Sequence, residues 1–137
     1  MNNNEVLART IYGEARGEDL EGKKAIACVI LNRVRLAKQN KKYVWWGSTI
    51  KEVCIKPWQF SCWNENDPNS KKIKAIKESD PTFRDCLIVA ENAVNGLLQD
   101  TTNGATHYHT KKIMPKWARV KKPCAEIGNH LFYNNIE

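Results

Sequence analysis

Ile11-Tyr12-Gly13-Glu14-Ala15-Arg16-Gly17-Glu18 closes an apolar-periodic segment with two carboxylates, an arginine and two glycines. Val6, Leu7, Ile11 and Ala15 recur at helical spacing, which predicts a helix over residues 4–15 that Gly13 and Gly17 help to end. A carboxyl in the last turn of a helix lies near the negative end of the helix dipole, which disfavours its ionisation, and partial burial adds to the effect. A glutamate kept protonated near neutral pH can donate a proton to a leaving group, so Glu14 and Glu18 are candidate acids. Local sequence alone is equally compatible with two solvated glutamates at an ordinary helix exit.

Outward from this segment, Ala25, Ile26, Val29, Ile30 and Val34 form one apolar stripe, which predicts a long core helix from Glu21 to about Ala37. Residues 38–48 are basic, then aromatic, and end in the loop signal Gly47-Ser48; Thr49 and Glu52 form a capping box for a short helix over 49–54. Pro57 to Asn64 is an aromatic loop, and Asp67-Pro68-Asn69-Ser70 closes it as a turn. Asp80-Pro81 starts a helix that Phe83, Cys86, Leu87, Ala90, Val94 and Leu97 continue to about Leu98. A β-prone Thr-His-Tyr-His-Thr tract follows at 106–110, and His130 to Tyr133 reads as a last short strand. The fold class is mainly α (α+β), with a long core helix and a small β/loop region.

The 137 residues, 42% of them apolar, are the size of one domain with one core, so residues 1–137 are read as a single unit. The longest apolar run, Ala25 to Leu31, is far short of the roughly 20 residues a membrane span requires. Met1 to Asn4 lead into a helical pattern without a basic region followed by an apolar one, so synthesis in the cytoplasm without a signal peptide is expected. A target outside the cytoplasm would then be reached only after release. Five cysteines without a CxxC pair give no zinc ribbon; Cys28 and Cys86 fall at core spacings, while Cys54 and Cys62 bracket the Pro-Trp loop and are candidates for a bridge after export. The net charge of +7, with lysine pairs at 41/42, 71/72, 111/112 and 121/122, suits an anionic partner such as nucleic acid or cell wall, or simply solvates the surface.

Trp58, Gln59, Phe60, Ser61, Trp63 and Asn64 interleave aromatic faces with amides and hydroxyls, as a sugar cleft requires, although the same tryptophans would also fill a loop-covered core. His107 and His109 have metal-ligand spacing, but only His130 remains to complete a set, which favours hydrogen-bonding or cleft-lining histidines over a metal. Cys62 with His109 is a conceivable nucleophile pair. Trp45 and Trp46 beside Lys41 and Lys42 suit stacking on nucleic acid, yet no nucleic-acid fold signature accompanies them.

Ala8 to Glu18, Glu21-Gly22 and Val29 to Val34 together resemble the cell-wall hydrolases of the spore-cortex-lytic SleB type. Gln59-Phe60-Ser61-Cys62-Trp63 is similar to that family's central loop. Ala105 to His109, Pro115, Trp117-Ala118 and Ile127 to Tyr133 resemble its C-terminal part, so the likeness covers about residues 5–133. The resemblance implies a lysozyme-like catalytic domain that cleaves the N-acetylmuramic acid to N-acetylglucosamine β-1,4 bond of peptidoglycan, often as a lytic transglycosylase. It maps the catalytic glutamate onto Glu14, with Glu18 as second candidate, and implies a glycan cleft formed by Tyr12, Gln59, Phe60, Ser61, Trp63, Thr106, Tyr108 and His109. No metal and no cofactor is implied; the partner is the peptidoglycan glycan strand, without specific nucleic acid or a membrane span, and the chain is expected to be a monomer. A hydrolytic muramidase would need a second carboxylate, for which Glu18, Glu65 and Asp67 are available. A bare, basic catalytic domain of this kind suggests a phage-endolysin-like enzyme. The alternative of another class is a non-catalytic polysaccharide- or nucleic-acid-binding module.

Overall fold

The computed structural model describes residues 1–136. Five helices are ordered along the chain as α1 (Asn3–Ala15), α2 (Leu20–Gln39), α3 (Ile50–Ile55), α4 (Asn69–Ala75) and α5 (Pro81–Val94). Three strands follow: β1 (His107–Thr110), β2 (Ala125–Ile127) and β3 (His130–Tyr133). The fold is mainly α with a small sheet, as the sequence implies.

Helix starts are set by short polar side chains that accept otherwise unpaired N–H groups. The Asn2 side chain accepts from Glu5 N at 2.9 Å, Asp19 from Gly22 N at 2.9 Å, Thr49 from Glu52 N at 3.1 Å and Asp80 from Phe83 N at 3.1 Å. The apolar stripes then meet: Val6, Leu7 and Ile11 of α1, Ile26, Val29 and Ile30 of α2, and Phe83, Val89 and Ala90 of α5 are almost wholly removed from solvent. Each large side chain so buried contributes about 1.5–3 kcal/mol.

The sheet has the order β1-β3-β2 and is antiparallel throughout, with Tyr108 opposite Phe132 and Ala125 opposite Phe132 on the other side. Its junction with α2 is polar and buried. Asn32 Nδ2 donates to the Ala105 carbonyl at 2.9 Å and to Asp100 Oδ2 at 3.1 Å, and Trp46 Nε1 donates to the Arg33 carbonyl at 3.0 Å. These bonds fix where β1 begins relative to the core helix.

The structure departs from the sequence-based expectations in four places. The turn at 67–70 does form, with Asp67 Oδ1 accepting from Asn69 N at 2.8 Å, but it opens directly into α4. That helix has one fully buried anchor, Ile73, among lysines, too sparse an apolar pattern to announce itself. Lys41–Trp46 forms a 3₁₀ helix started by Asn40. Helix α5 stops at Val94, short of Leu98: Gly96 takes φ +74°, and Gly96 N and Leu97 N donate back to the Ala93 and Asn92 carbonyls, which is a Schellman stop. Strand β2 has only three residues and no alternation of its own.

All five cysteines are free thiols, so Cys54 and Cys62 are not bridged; both are completely buried, and burial pushes the Cys54 thiol up to about 12. Cys28 and Cys86 are buried, as their spacing suggests. No helix among the described residues is long and apolar enough to cross a membrane.

Asn32→Ala leaves the Ala105 carbonyl unpaired in the interior and is expected to cost about 1–3 kcal/mol. The measurement is the denaturant midpoint, which should fall with an unchanged slope.

Candidate functional site

Glu14 occupies the last turn of α1, where Gly13 lets the neighbouring loop approach closely: a Cβ at Gly13 would lie 2.7 Å from both Cβ and Sγ of Cys62. From the other side, Tyr108 of β1 donates its phenolic O–H to Glu14 Oε1. Burial raises the Glu14 pKa above the ordinary carboxyl range; hydrogen bonds from Tyr108 and Cys62 and the proximity of His130 oppose the rise without cancelling it, and Asp67 adds to it. Burial first, and then the neighbouring Glu14, hold the Tyr108 phenol well above its usual pKa, so Tyr108 remains the donor of the pair. Cys62 is held protonated by burial and by Glu14 in the same way.

Two hollows meet at Glu14. One, of about 330 Å³, is walled by Trp45, Trp58, Phe60, His107, Tyr108 and Trp117, with Arg33 at its side. Trp58 and Trp45 present 77% and 57% of their surface to solvent, an unusual exposure that leaves flat apolar faces for a ligand. The other, of about 430 Å³, carries the basic side chains Lys111 and Lys112 and is also lined by Gly17, Glu18, Thr110, Asn129 and His130. Glu14 borders both. Together they form a groove with a protonatable carboxyl at its middle.

Glu18 stands close by in sequence but has a different environment. Its Oε1 accepts from Asn129 N at 2.8 Å and pairs with His130 Nδ1 at 3.1 Å, and its Oε2 accepts from Asn129 Nδ2 at 3.0 Å. Burial works to raise its pKa, but the donors of Asn129 and the neighbouring His130 outweigh burial and lower it. Gly22 and Gly128 make room for this side chain: added Cβ atoms would approach Glu18 Cβ to 2.6 Å and Glu18 Oε1 to 2.5 Å, and Gly128 also has φ +57°. Glu18 therefore ties the end of α1 to the β2–β3 turn, and both its oxygens are engaged there instead of facing a substrate.

Of the eight cleft residues expected from sequence, three line the groove at Glu14: Tyr108, Phe60 and Gln59. The Gln59 amide is itself committed to the Trp46 and Val53 carbonyls at 3.0 and 2.8 Å, so it braces the loop. Tyr12 is a core residue, packed edge-on against Phe83 with the Arg16 guanidinium over its ring. Ser61 is exposed and lies outside both hollows. Trp63 donates to Thr10 Oγ1 at 2.8 Å and borders a separate hollow behind Trp58. Thr106 is buried, its hydroxyl on His107 Nδ1 at 2.9 Å. His109 projects to the opposite face of β1 from Tyr108, where it bonds Tyr133 Oη at 2.8 Å and packs on Trp117. Successive side chains of a strand point to opposite faces, which places His109 across β1 from Tyr108, while Thr106 precedes the strand.

His107 and His109 share a face, as their spacing implies, and that face packs on Trp117. Burial, followed by Arg33, lowers the His107 pKa to about 4, so it is neutral. Cys62 and His109 do not form a nucleophile pair, because the thiol is buried against Glu14 while His109 bonds Tyr133. Beyond those eight, Trp58 and His107, which belong to the aromatic loop and the histidine tract expected at the cleft, line the hollows, as do Arg33, Trp45, Trp117, Lys111 and Lys112. Trp117 falls within the family-like C-terminal motif and Arg33 within the Val29 to Val34 motif, but no local pattern places either beside Glu14.

The model of the Cell Wall Hydrolase family matches residues 17–133. The chain is 27% identical to a spore cortex-lytic enzyme of Bacillus cereus over 136 residues, covering 96% of this chain and 44% of the relative. It is 28% identical to the spore cortex-lytic enzyme of Oceanobacillus iheyensis, covering 96% of this chain and 41% of that one. It thus spans less than half the length of these relatives. Among solved structures, it is similar to the catalytic domain of the Bacillus cereus SleB protein, with a TM-score of 0.72 and 26% identity over 96% of this chain and 89% of the other. It is also similar to the catalytic domain of the germination-specific lytic transglycosylase SleB from Bacillus anthracis, with a TM-score of 0.73 and 27% identity over 98% and 95%.

The two glutamates should affect stability with opposite signs. The Glu14 pKa is raised on folding, so its stability contribution is complete below the unfolded carboxyl value and is lost as pH rises through the folded one. Glu14→Gln is therefore expected to raise the thermal midpoint at pH 7, by roughly 3 °C or more, and to change it little at pH 4. The Glu18 pKa is lowered on folding, so its contribution is complete above the unfolded value and is lost as pH falls through the folded one. Glu18→Gln should be destabilising at pH 7 by about 1 kcal/mol or more, and less so in acid, in thermal melts across that range.

Proposed function

The chain belongs to the cell wall hydrolase family, and from that membership we propose that it cleaves the N-acetylmuramic acid to N-acetylglucosamine β-1,4 bond of peptidoglycan as a lytic transglycosylase, with Glu14 as acid and base. The observation that carries this is a single part-buried carboxyl of raised pKa, steadied by Tyr108, where an aromatic hollow meets a basic one. Aromatic faces stack on pyranose rings, and polar side chains take up their hydroxyls and amides.

In the first step, protonated Glu14 donates its proton to the glycosidic oxygen as the C1–O bond breaks and an oxocarbenium-like centre develops. The departing sugar leaves as an alcohol, and Glu14 becomes a carboxylate. Tyr108 strengthens its hydrogen bond to the new charge, which stabilises this state. In the second step the carboxylate takes the proton from the muramic acid C6 hydroxyl, whose oxygen bonds to C1. A 1,6-anhydro ring closes and Glu14 is protonated again. No second carboxylate is required.

That economy fits the surroundings of Glu14. Hydrolysis by a carboxylate pair needs a second free carboxyl group about 5–9.5 Å away. Glu18 is taken up by Asn129 and His130, Asp67 caps Asn69, and Glu65 lines the hollow behind Trp58. The proposal extends to an endolysin-like setting, in which the protein is made in the cytoplasm and reaches the wall after release; its charge of +7 would favour approach to anionic wall material.

Mass spectrometry of digested muropeptides tests the reaction, since anhydro ends are lighter than reducing ends by one water. Reducing ends throughout would replace the transglycosylase with a muramidase; wall binding without any cleavage would leave a binding module. Glu14→Gln is expected to lower cleavage by about three orders of magnitude or more. Tyr108→Phe removes a bond that lowers the Glu14 pKa, so the alkaline limb of the pH profile should move upward while kcat falls roughly 10- to 100-fold.

A further inference from the structure

Residues 111–124 carry the chain from β1 to β2, the two outer strands, so this loop crosses the central strand β3. It crosses on the sheet face that bears His107, His109 and Tyr133, and Trp117 packs edge-on against all three rings. Ala118 is buried, and Ala118 N donates to the Pro115 carbonyl at 3.0 Å and Lys121 N to the Ala118 carbonyl at 3.1 Å, which keeps the loop tightly wound there. With Trp117 and Ala118 turned in, their neighbours are left outside: Ile113 is 65% exposed, Met114 56% and Val120 91%. Cations surround them, Lys112 and Lys116 on either side of Ile113-Met114-Pro115, and Arg119, Lys121 and Lys122 about Val120. Of the 22 basic residues six fall between Lys111 and Lys122, and of the 15 acidic ones none, so this loop carries nearly all of the net charge of +7. Among the described residues only Lys111 of these six forms an ion pair, with Glu126 at 2.7 Å.

Lysines alone would serve as a solvated surface, but exposed aliphatic side chains set among them mark an interaction site. The charge calls for an anionic partner, and the absence of an outward ring narrows the choice. A nucleic acid or a sugar is met by aromatic faces, and the only aromatic side chain of the loop is committed to the sheet and to the hollow beside Glu14. Aliphatic side chains beside cations match a lipid surface instead: lysine and arginine meet the headgroup phosphates while isoleucine, methionine and valine enter the acyl boundary. We propose that the β1–β2 loop docks this protein on an anionic phospholipid surface. The contact is peripheral, since no helix among the described residues is long and apolar enough to cross a membrane. Lys111 and Lys112 also line the hollow beside Glu14, so a docked protein holds that arm of the groove close to the lipid.

The probe is vesicles of equal parts phosphatidylglycerol and phosphatidylcholine, with vesicles of phosphatidylcholine alone for comparison, and bound protein is measured by co-sedimentation. The protein is expected on the mixed vesicles only, and salt at about 1 M, where the screening length falls to about 3 Å, should release most of it. Arg119→Gln with Lys121→Gln and Lys122→Gln, all outside the groove, should weaken binding roughly 100-fold, since each cation near an anionic surface contributes about fivefold. Ile113→Ser with Met114→Ser and Val120→Ser keeps every charge; it should weaken vesicle binding about tenfold or more and leave binding to soluble inorganic polyphosphate unchanged. All six positions are exposed, so both variants should melt with the wild type. No binding to the mixed vesicles, or equal binding to the neutral ones, overturns the proposal. An apolar variant that holds the vesicles as tightly as the wild type also overturns it, and leaves a polyanion site such as a wall phosphate polymer or a nucleic acid would occupy. Cleavage of membrane-free walls is measured separately: its absence would overturn the glycan-cleaving role and leave the docking standing, and cleavage by a protein that ignores the vesicles would do the reverse.

Discussion

The hydrogen bond from Tyr108 to Glu14 joins the two halves of this protein at the point where its aromatic and basic hollows meet. Glu14 is delivered by the end of a helix fixed in the core through Val6, Leu7 and Ile11; Tyr108 is delivered by a strand whose start is set by Asn32 of the long helix. Neither partner is held by its own loop. A shift of the sheet by one residue would replace Tyr108 by a side chain from the opposite face, so the register of β1 against β3 is a condition of the site.

The same segment shows how environment separates two identical side chains. Glu14 has two opposing hydrogen bonds and loses more to burial than they return, so its acid form is favoured. Glu18, four residues on, collects backbone and amide donors from Asn129 and the proximity of His130, so its carboxylate is favoured. The glycines at 22 and 128 are what allow the second arrangement, since both approach Glu18 too closely for any side chain. One glutamate is thereby suited to chemistry and the other to holding the frame, and a wall of tryptophans with a buried arginine completes the aromatic arm of the groove.

Helices α1, α2, α3 and α5 were legible because each combines a short polar cap with an apolar stripe, signals that lie within a few residues of one another. Helix α4 was not, because its single anchor, Ile73, gains its meaning only from the core it meets. In the site, the resemblance points to Glu14 and Tyr108, which the structure brings together, and to Tyr12, Thr106 and His109, which it places away from Glu14. A motif records which residues accompany one another, and not which side of a helix or strand each one occupies.

The sequence by itself determined the mainly helical fold class, the position of Glu14 at a helix end and the aromatic, basic character of the surface, because each of these depends on local spacing and composition. Tertiary structure alone decided that Glu18 is consumed by the β2–β3 turn, that Trp45 and Trp117 share a hollow with Glu14, and that Arg33 of α2 reaches the Thr106 carbonyl beside that hollow. Those outcomes depend on burial and on contacts between residues far apart in the chain. The pKa of an acid and the cost of an unpaired charge are set by what surrounds them, and no stretch of sequence contains its own surroundings.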